Sequence, residues 1–290
     1  MQEAGLDFEL AMTNGPLQAT ALAHAAQGRY AGVVAVGGDG TVHEIVNGLV
    51  RASQGEPTMP LGVVPLGSGD DFAKLIPPQA AIGGKAQHWQ QAIEKLTMAR
   101  TQAFDVGRMQ GWIDQAGRRP VGDAEYFMNG MDVGFGAHGN RNLAKVPRFL
   151  KGQAAYMAAV LKTLIDYPVL HLTVQIDEGA PYQFSTTMTA VTNGRCIGGS
   201  FWVCPEAKPD DGLLDLMLVQ AVGRLTILGL IPKILRGAHA KEATLRMVQA
   251  KRLLLQSEEP FAVEADGEMP YDAIRRLEID LLPGRLTVMV

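Results

Sequence analysis

A short β-branched apolar run at residues 33–36 leads straight into Gly37-Gly38-Asp39-Gly40-Thr41, and a helical apolar pattern follows at Val42, Ile45, Val46 and Leu49. No other feature narrows the fold as much. A buried strand that ends on glycines and hands over to a helix is the building unit of a parallel α/β layer. The arrangement repeats, with residues 61–65 as a second buried strand, Gly67-Ser68-Gly69 as a second glycine-rich turn and residues 87–99 as the next helix. Upstream, Leu6, Phe8 and Leu10 alternate with Asp7 and Glu9, which predicts a half-buried strand, and Gly15-Pro16 opens an alanine-rich helix that stops at Gly28.

From Phe104 the texture changes to short alternating segments at residues 126–131, 169–176, 184–192, 213–219, 253–256, 262–264 and 277–281, as in antiparallel β structure. Two helical insertions interrupt them, at about residues 149–165 and 225–239. A chain of 290 residues can hold two cores. The predicted architecture is therefore α/β followed by β. Residues 1–103 form a parallel α/β domain, residues 104–281 a larger β-sandwich with helical insertions, and residues 282–290 pack back on the first domain.

Composition removes several function classes. No apolar stretch approaches the roughly 20 residues of a membrane span, and the acidic residues near Met1 do not resemble a secretory leader, so a cytoplasmic location is expected. Cys196 and Cys204 lack Cys-x-x-Cys spacing and a nearby histidine pattern, so neither a disulfide framework nor a zinc site is indicated. A net charge of -4 lacks the electrostatic footprint of nucleic-acid binding.

At a strand-to-helix junction, glycines let backbone N–H groups approach phosphate oxygens without side-chain obstruction. A tight turn alone would also use glycines; Asp39, a carboxylate among them, suggests in addition a metal ion or a ribose contact. There is no Gly-x-x-x-x-Gly-Lys-Ser/Thr, and His43 stands where a dinucleotide fingerprint needs its third glycine. Gly134-x-Gly136-x-x-Gly139 matches that fingerprint, but without an acidic residue about 20 positions later it reads as a turn. His43-Glu44-x-x-Asn47 falls one residue short of a zincin helix.

The run from Gly37 to Gly48, Gly-Gly-Asp-Gly-Thr-Val-His-Glu-Ile-Val-Asn-Gly, resembles the signature of the diacylglycerol-kinase catalytic domain, bacterial lipid kinases included. Further stretches agree in order. Residues 65–73 resemble that family's second phosphate loop, residues 129–137 its interdomain segment, and residues 151–156 a helix start; residues 205–215 resemble its magnesium loop and Asp266-Gly267-Glu268 its catalytic turn. The resemblance implies that residues 1–103 are a nucleotide-binding domain with the active site in the cleft between it and the sandwich, and that ATP is the co-substrate, held by Thr13, Gly37, Gly38, Asp39, Gly40, Thr41, Val42, His43, Glu44, Ser68 and Asp71. It implies Glu268 as proton acceptor, Asp266 close to the phosphates, and Mg²⁺ near Asp39 and Asp71. A structural Mg²⁺ would sit on the Asp211 carboxylate and the carbonyls of Lys208 and Leu213. Taken alone, Asp266-Gly267-Glu268 is an ordinary hairpin turn and residues 210–212 a solvated one. Departures from the family are His43 and Asp70 in place of Asn, and Ser68 in place of Thr.

The implied partner is a membrane lipid, with peripheral contact at the inner membrane face and room for a homodimer. Arg141, Lys145, Arg148 and Lys151 fall at helical spacings that suit anionic headgroups, although Pro147 among them favours a solvated basic face. Two alternatives stand beside the lipid kinase: a soluble-substrate kinase of the NAD-kinase type, and a non-catalytic nucleotide- or lipid-binding protein. The family also opens with a strand and an Asn-Pro-x-Ser-Gly loop, so the expectation is that roughly 30 to 40 residues precede Met1 and supply a strand beside residues 33–36.

Overall fold

The computed structural model describes residues 5–76, 85–147, 150 and 153–290. Strand β1 (Val33–Gly37) and β2 (Leu61–Pro65) pair in parallel, Val33 opposite Leu61 and Gly37 opposite Pro65. Helix α1 (Gln18–Ala26) precedes β1, and α2 (Asp39–Ala52) is the crossover between the strands. The buried face of α2 carries Val42, Ile45, Val46, Leu49 and Val50 at the helical period. Ala19, Ala23 and Ala26 let α1 lie close against it; a β-carbon on Gly48 would stand 2.3 Å from the Thr20 carbonyl oxygen. Helix α3 (Lys85–Met98) covers β2 with Ala92 and Leu96 against Val64.

Strand β3 (Thr101–Trp112) leads through β4 (Glu125–Phe127) and β5 (Gly130–Gly134) to α4 (Phe135–Leu143) and α5 (Gln153–Asp166). Then come β6 (Leu170–Ile176), β7 (Tyr182–Thr192), β8 (Leu214–Gln220), α6 (Arg224–Ile234), β9 (Leu245–Ala250), β10 (Arg252–Ala265) and β11 (Glu268–Met289). The sheet runs β1-β2-β11-β10-β5-β7-β8-β9, and β6 pairs with both β10 and β7. That double pairing curls the sheet around Met109, Phe127, Met131, Leu172, Leu255 and Val263, the core of the sandwich. Strand β11 continues antiparallel to β3 from Arg276 to Met289 and meets β2 in parallel at Val288. Its register shifts between Leu282 and Leu286, around Gly284, whose φ of 57° is the left-handed conformation that glycine takes without strain. Beyond the bulge, Leu286 and Val288 are fully buried in the α/β core with Val46 and Leu61. Among the described residues no helix is long and apolar enough to cross a membrane.

The two-part α/β and β-sandwich class holds, with local corrections. Residues 6–10 are not a strand: Phe8 and Leu10 are 45% and 70% exposed, and only Leu6 packs on the α3 side of the layer. Alternation makes a strand only where a partner offers ladder hydrogen bonds, and among the described residues β1 pairs with β2 alone. Residues 134–139 turn into α4, a helix that the glycine spacing had hidden. Strands β3 and β9 had no predicted counterpart, and β3 runs unbroken across residues 103–104. Residues 253–256 and 262–264 belong to one bulged strand, β10. Arg148, Lys151 and Gly152, and the start of the first helical insertion, lie outside the described residues.

Candidate active site

Helix α2 begins at Asp39 with an extended Gly38 before it, and no side chain caps it. The first-turn N–H groups of a helix have no partner within it, so residues 39–41 present a ready seat for an anion at the positive end of α2. Glycine is required here by contact. A β-carbon on Gly38 would stand 3.0 Å from the Gly67 α-carbon, and one on Gly67 would stand 2.6 Å from the Gly38 α-carbon. The two glycine turns therefore touch backbone to backbone, and Leu66 N–H donates to the Gly37 carbonyl at 2.9 Å.

Carboxylates surround this seat. Asp39 accepts a hydrogen bond from Phe72 N–H at 3.1 Å, and Asp71 accepts one from Gly199 N–H at 2.8 Å and pairs with Lys74 at 2.6 Å. Lys74 also donates to the Gly199 carbonyl at 2.7 Å, so the second glycine loop is tied to the sandwich. Asp70 occupies a left-handed conformation, φ 51°, and its Oδ1 turns back onto Gly67 N–H at 2.8 Å. Burial first, then the charges of Asp71, Asp70 and Asp266, push Asp39 up to about 6.

The 265–268 turn faces this cluster. Asp266 and Gly267, with φ of 48° and 92°, are the central pair of a two-residue hairpin between β10 and β11, in which Ala265 is opposite Glu268. The Asp266 carboxylate is consumed by structure. One oxygen accepts Asn129 and Gly130 N–H at 3.1 and 3.0 Å; the other accepts Met128 N–H at 3.0 Å and lies 3.2 Å from His43 Nδ1. Its side chain is 2% exposed. Burial works against a charged His43, but the hydrogen bond and charge of Asp266 outweigh it and hold the imidazole above its usual pKa. Glu268, by contrast, is exposed, and its Oε1 lies 3.2 Å from where a Gly40 β-carbon would be. A free carboxylate thus stands over the first turn of α2.

Gly37, Gly38, Asp39, Gly40, Thr41, Asp71, Asp266 and Glu268 are brought together, with exposed Ser68 on the second loop beside them. Other predicted ligands have different surroundings. Val42 is buried in the α/β core, and the Glu44 carboxylate holds the start of α1 by accepting Leu17 and Ala19 N–H at 2.9 and 3.0 Å. Thr13 is exposed on the irregular segment before α1. The sequence had shown Asn47 and Asn129 inside motifs without assigning them work. Asn47 joins α2 to β4 through the N–H and carbonyl of Tyr126 at 3.1 and 2.9 Å, and Asn129 donates to the Cys196 carbonyl at 2.6 Å.

The 208–213 loop is held by Asp105, a residue that sequence reasoning missed. Its carboxylate accepts Gly212 N–H and Gly284 N–H, each at 2.7 Å, so one side chain fastens the loop to the β11 bulge. Asp211 is exposed and accepts Leu213 N–H at 3.1 Å. Nearby, Asp215 Oδ2 is buried and among the described residues has no hydrogen-bond partner; burial, opposed by a hydrogen bond from Gln249 and helped by the charges of Asp211 and Glu206, pushes Asp215 up to about 6. An anionic patch with a partnerless buried oxygen fits a divalent cation. Among the described residues no three histidine, cysteine or acidic side chains converge as a cage, so carbonyls and water would complete the shell.

Residues 1–109 match the sequence profile of the diacylglycerol kinase catalytic domain, and residues 129–290 that of the YegS C-terminal NAD kinase beta sandwich-like domain. An α/β catalytic domain joined to this sandwich is a kinase architecture. The chain belongs to that family of diacylglycerol and YegS-type lipid kinases. It is 27% identical to the diacylglycerol kinase of Bacillus subtilis (strain 168) over 81% of this chain and 70% of the relative. It is 28% identical to the "Probable lipid kinase YegS-like" of Pseudomonas aeruginosa over 89% of this chain and 76% of the relative. A crystal structure of a candidate diacylglycerol kinase from Bacillus anthracis str. Sterne superposes with a TM-score of 0.71 at 22% identity, covering 96% of this chain and 83% of that one, which shows the fold.

Proposed function

We propose that this kinase transfers the γ-phosphoryl group of ATP to the hydroxyl of a membrane lipid such as diacylglycerol. The observation that carries this reading is the exposed Glu268 carboxylate standing over Gly40 at the uncapped start of α2. Phosphates would rest on the N–H groups of residues 38–41, with the Ser68 hydroxyl beside them. Mg²⁺ would be held near Asp39 and Asp71, where it would neutralise charge that builds on the phosphoryl oxygens. Glu268 accepts the proton of the attacking hydroxyl, and Asp266, fully hydrogen-bonded, holds the hairpin that carries it. In this reading residues 1–103 serve the nucleotide and residues 104–281 the lipid, with peripheral contact at the membrane surface. Of the proposed basic face, Arg141 already pairs with Asp272 at 2.9 Å.

The test is phosphoryl transfer from γ-labelled ATP to vesicles that contain diacylglycerol, phosphatidylglycerol or a sphingoid base, with NAD as a soluble acceptor in a parallel arm. Label in a lipid product is expected. Label in NAD alone, or in no acceptor at all, overturns the reading. Two smaller effects follow from the loops. Asp70→Asn removes a negative charge beside the phosphate seat and suits the left-handed backbone better, so the KM for ATP is expected to fall about threefold at constant kcat. Asp211→Ala is expected to abolish the rise in melting temperature that Mg²⁺ gives the parent protein, about 2–4 °C per kcal/mol of linkage; an identical Mg²⁺ response in both proteins removes the ion from this loop.

A further inference from the structure

Below the catalytic hairpin lie two carboxyl groups that the proposed mechanism does not use. Asp132 on β5 and Glu264 on β10 are register partners across the antiparallel ladder, 1% and 4% exposed, so their side chains leave the same face of the sheet as neighbours. Two buried carboxyl groups set side by side avoid facing each other as anions when one keeps its proton and donates it to the other. Among the described residues no lysine, arginine or histidine forms an ion pair with either one. We propose that Asp132 and Glu264 share one proton and act through it as positioning residues, locking the 266–268 hairpin to the start of α4.

Each carboxyl has a second attachment that makes the lock. Asp132 Oδ1 accepts Ala137 N–H at 2.7 Å in the first turn of α4, and residue 136 must be glycine because a β-carbon there would lie 2.1 Å from Asp132 Oδ2. Glu264 Oε1 accepts Gly267 N–H, and α4 returns the grip when Asn140 donates to the Gly267 carbonyl at 2.7 Å. The peptide groups on both sides of Gly267, the residue before Glu268, are thus held through this pair and through α4.

The surrounding charges set the direction of the pH response. The hairpin brings the carboxyl groups of Asp266 and Glu268; His43 on α2 is spent on Asp266; His138 and Arg141 on α4 face Asp166 and Asp272. Strand β7 brings uncharged Ala190 opposite Asp132. Burial, and for Glu264 also the neighbouring Asp132, raise both groups, Asp132 to about 6 and Glu264 well above the usual carboxylate range. A carboxyl with a folded-state pKa above its unfolded value contributes stability at low pH that is lost as pH rises through the folded value. Once the shared proton leaves, two buried anions face each other beside Asp266 and the hairpin loosens.

The shared proton is independent of the proposed reaction; its effect on turnover rests on Glu268 as base. The experiment therefore reads both. Melting temperature and hydrogen exchange of the Gly267 amide, corrected for intrinsic rate, are followed from pH 5.5 to 9 in the parent protein, Asp132→Asn and Glu264→Gln. In the parent, exchange is expected to quicken at least tenfold and melting to fall across this range, while both amide variants stay nearly flat. With lipid substrate, kcat is expected to fall at least fivefold from pH 6 to pH 9 in the parent and to change less than twofold in Glu264→Gln. Equal pH slopes in all three proteins overturn the proposal. A flat parent profile overturns it even if neither variant folds. Absence of turnover with every lipid, alongside the expected exchange and melting results, sinks the kinase reading and leaves the shared proton standing.

Discussion

Glu268→Gln is expected to lower kcat about 10³-fold while the melting temperature stays within a degree of the parent's. General-base removal costs about 10² to 10⁴ in rate, and Glu268 is exposed, so its charge supports little of the fold. The amide is nearly isosteric, so the hairpin and the Gly40 contact should survive the change. Steady-state kinetics with saturating ATP and lipid, paired with a melting curve, check both halves. A variant that keeps parental kcat shows that the hydroxyl proton goes elsewhere. A variant that melts well below the parent shows that Glu268 has a structural role its exposure does not reveal.

Asp266→Ala should differ from it in kind. Three backbone N–H groups, those of Met128, Asn129 and Gly130, and the His43 ring lose their acceptor together. A buried donor left unpaired costs about 1–3 kcal/mol, so a destabilisation of about 3 kcal/mol or more is expected. That corresponds to a fall in melting temperature of about 6–12 °C for a chain of this size. Turnover should fall as well, because the hairpin that carries Glu268 is no longer fixed to the 128–130 segment. Asp266→Asn retains one acceptor oxygen and should recover part of the stability but little of the turnover. Melting unaffected by the alanine would mean that water replaces the carboxylate readily, and the clamp would have no energetic standing.

The contrast between these two residues shows where sequence reasoning ran out. The alternation of strand, glycines and helix at residues 33–49 was legible because apolar period and turn chemistry agree there, and α2 and β2 stand where the pattern puts them. The Asp-Gly pair was legible as a hairpin because both central residues need positive φ, which Asp tolerates and Gly favours. Different roles for the two carboxylates came only from the family resemblance, not from the residues themselves. Asp266 and Glu268 look interchangeable in a string of letters; only the arrival of residues 128–130 from another strand consumes one and leaves the other free. Strand β3 was hidden because Gly107 and Gly111 interrupt its pattern, and each lies against a ring, those of Phe127 and Tyr271, that sequence cannot bring near. Helix α4 contains two glycines and two asparagines, so its propensity is poor and its start depends on Asp132. The strand expected at residues 6–10 failed for the opposite reason: the local pattern was right, but among the described residues no neighbouring strand accepts it.

Strand β11 has a consequence for the order in which this protein can be made. The residues of α1, α2 and the two parallel strands leave the ribosome long before β11 does, yet Leu286 and Val288 are interior members of their core, and on the side away from β1 the strand next to β2 is β11. During synthesis the α/β layer therefore carries an open flank until β11 has emerged. Domains that are contiguous in sequence can fold as they appear; this one has to wait for its keystone, and the apolar groove that Leu286 and Val288 will fill stays exposed to chaperones or to misassociation in the meantime.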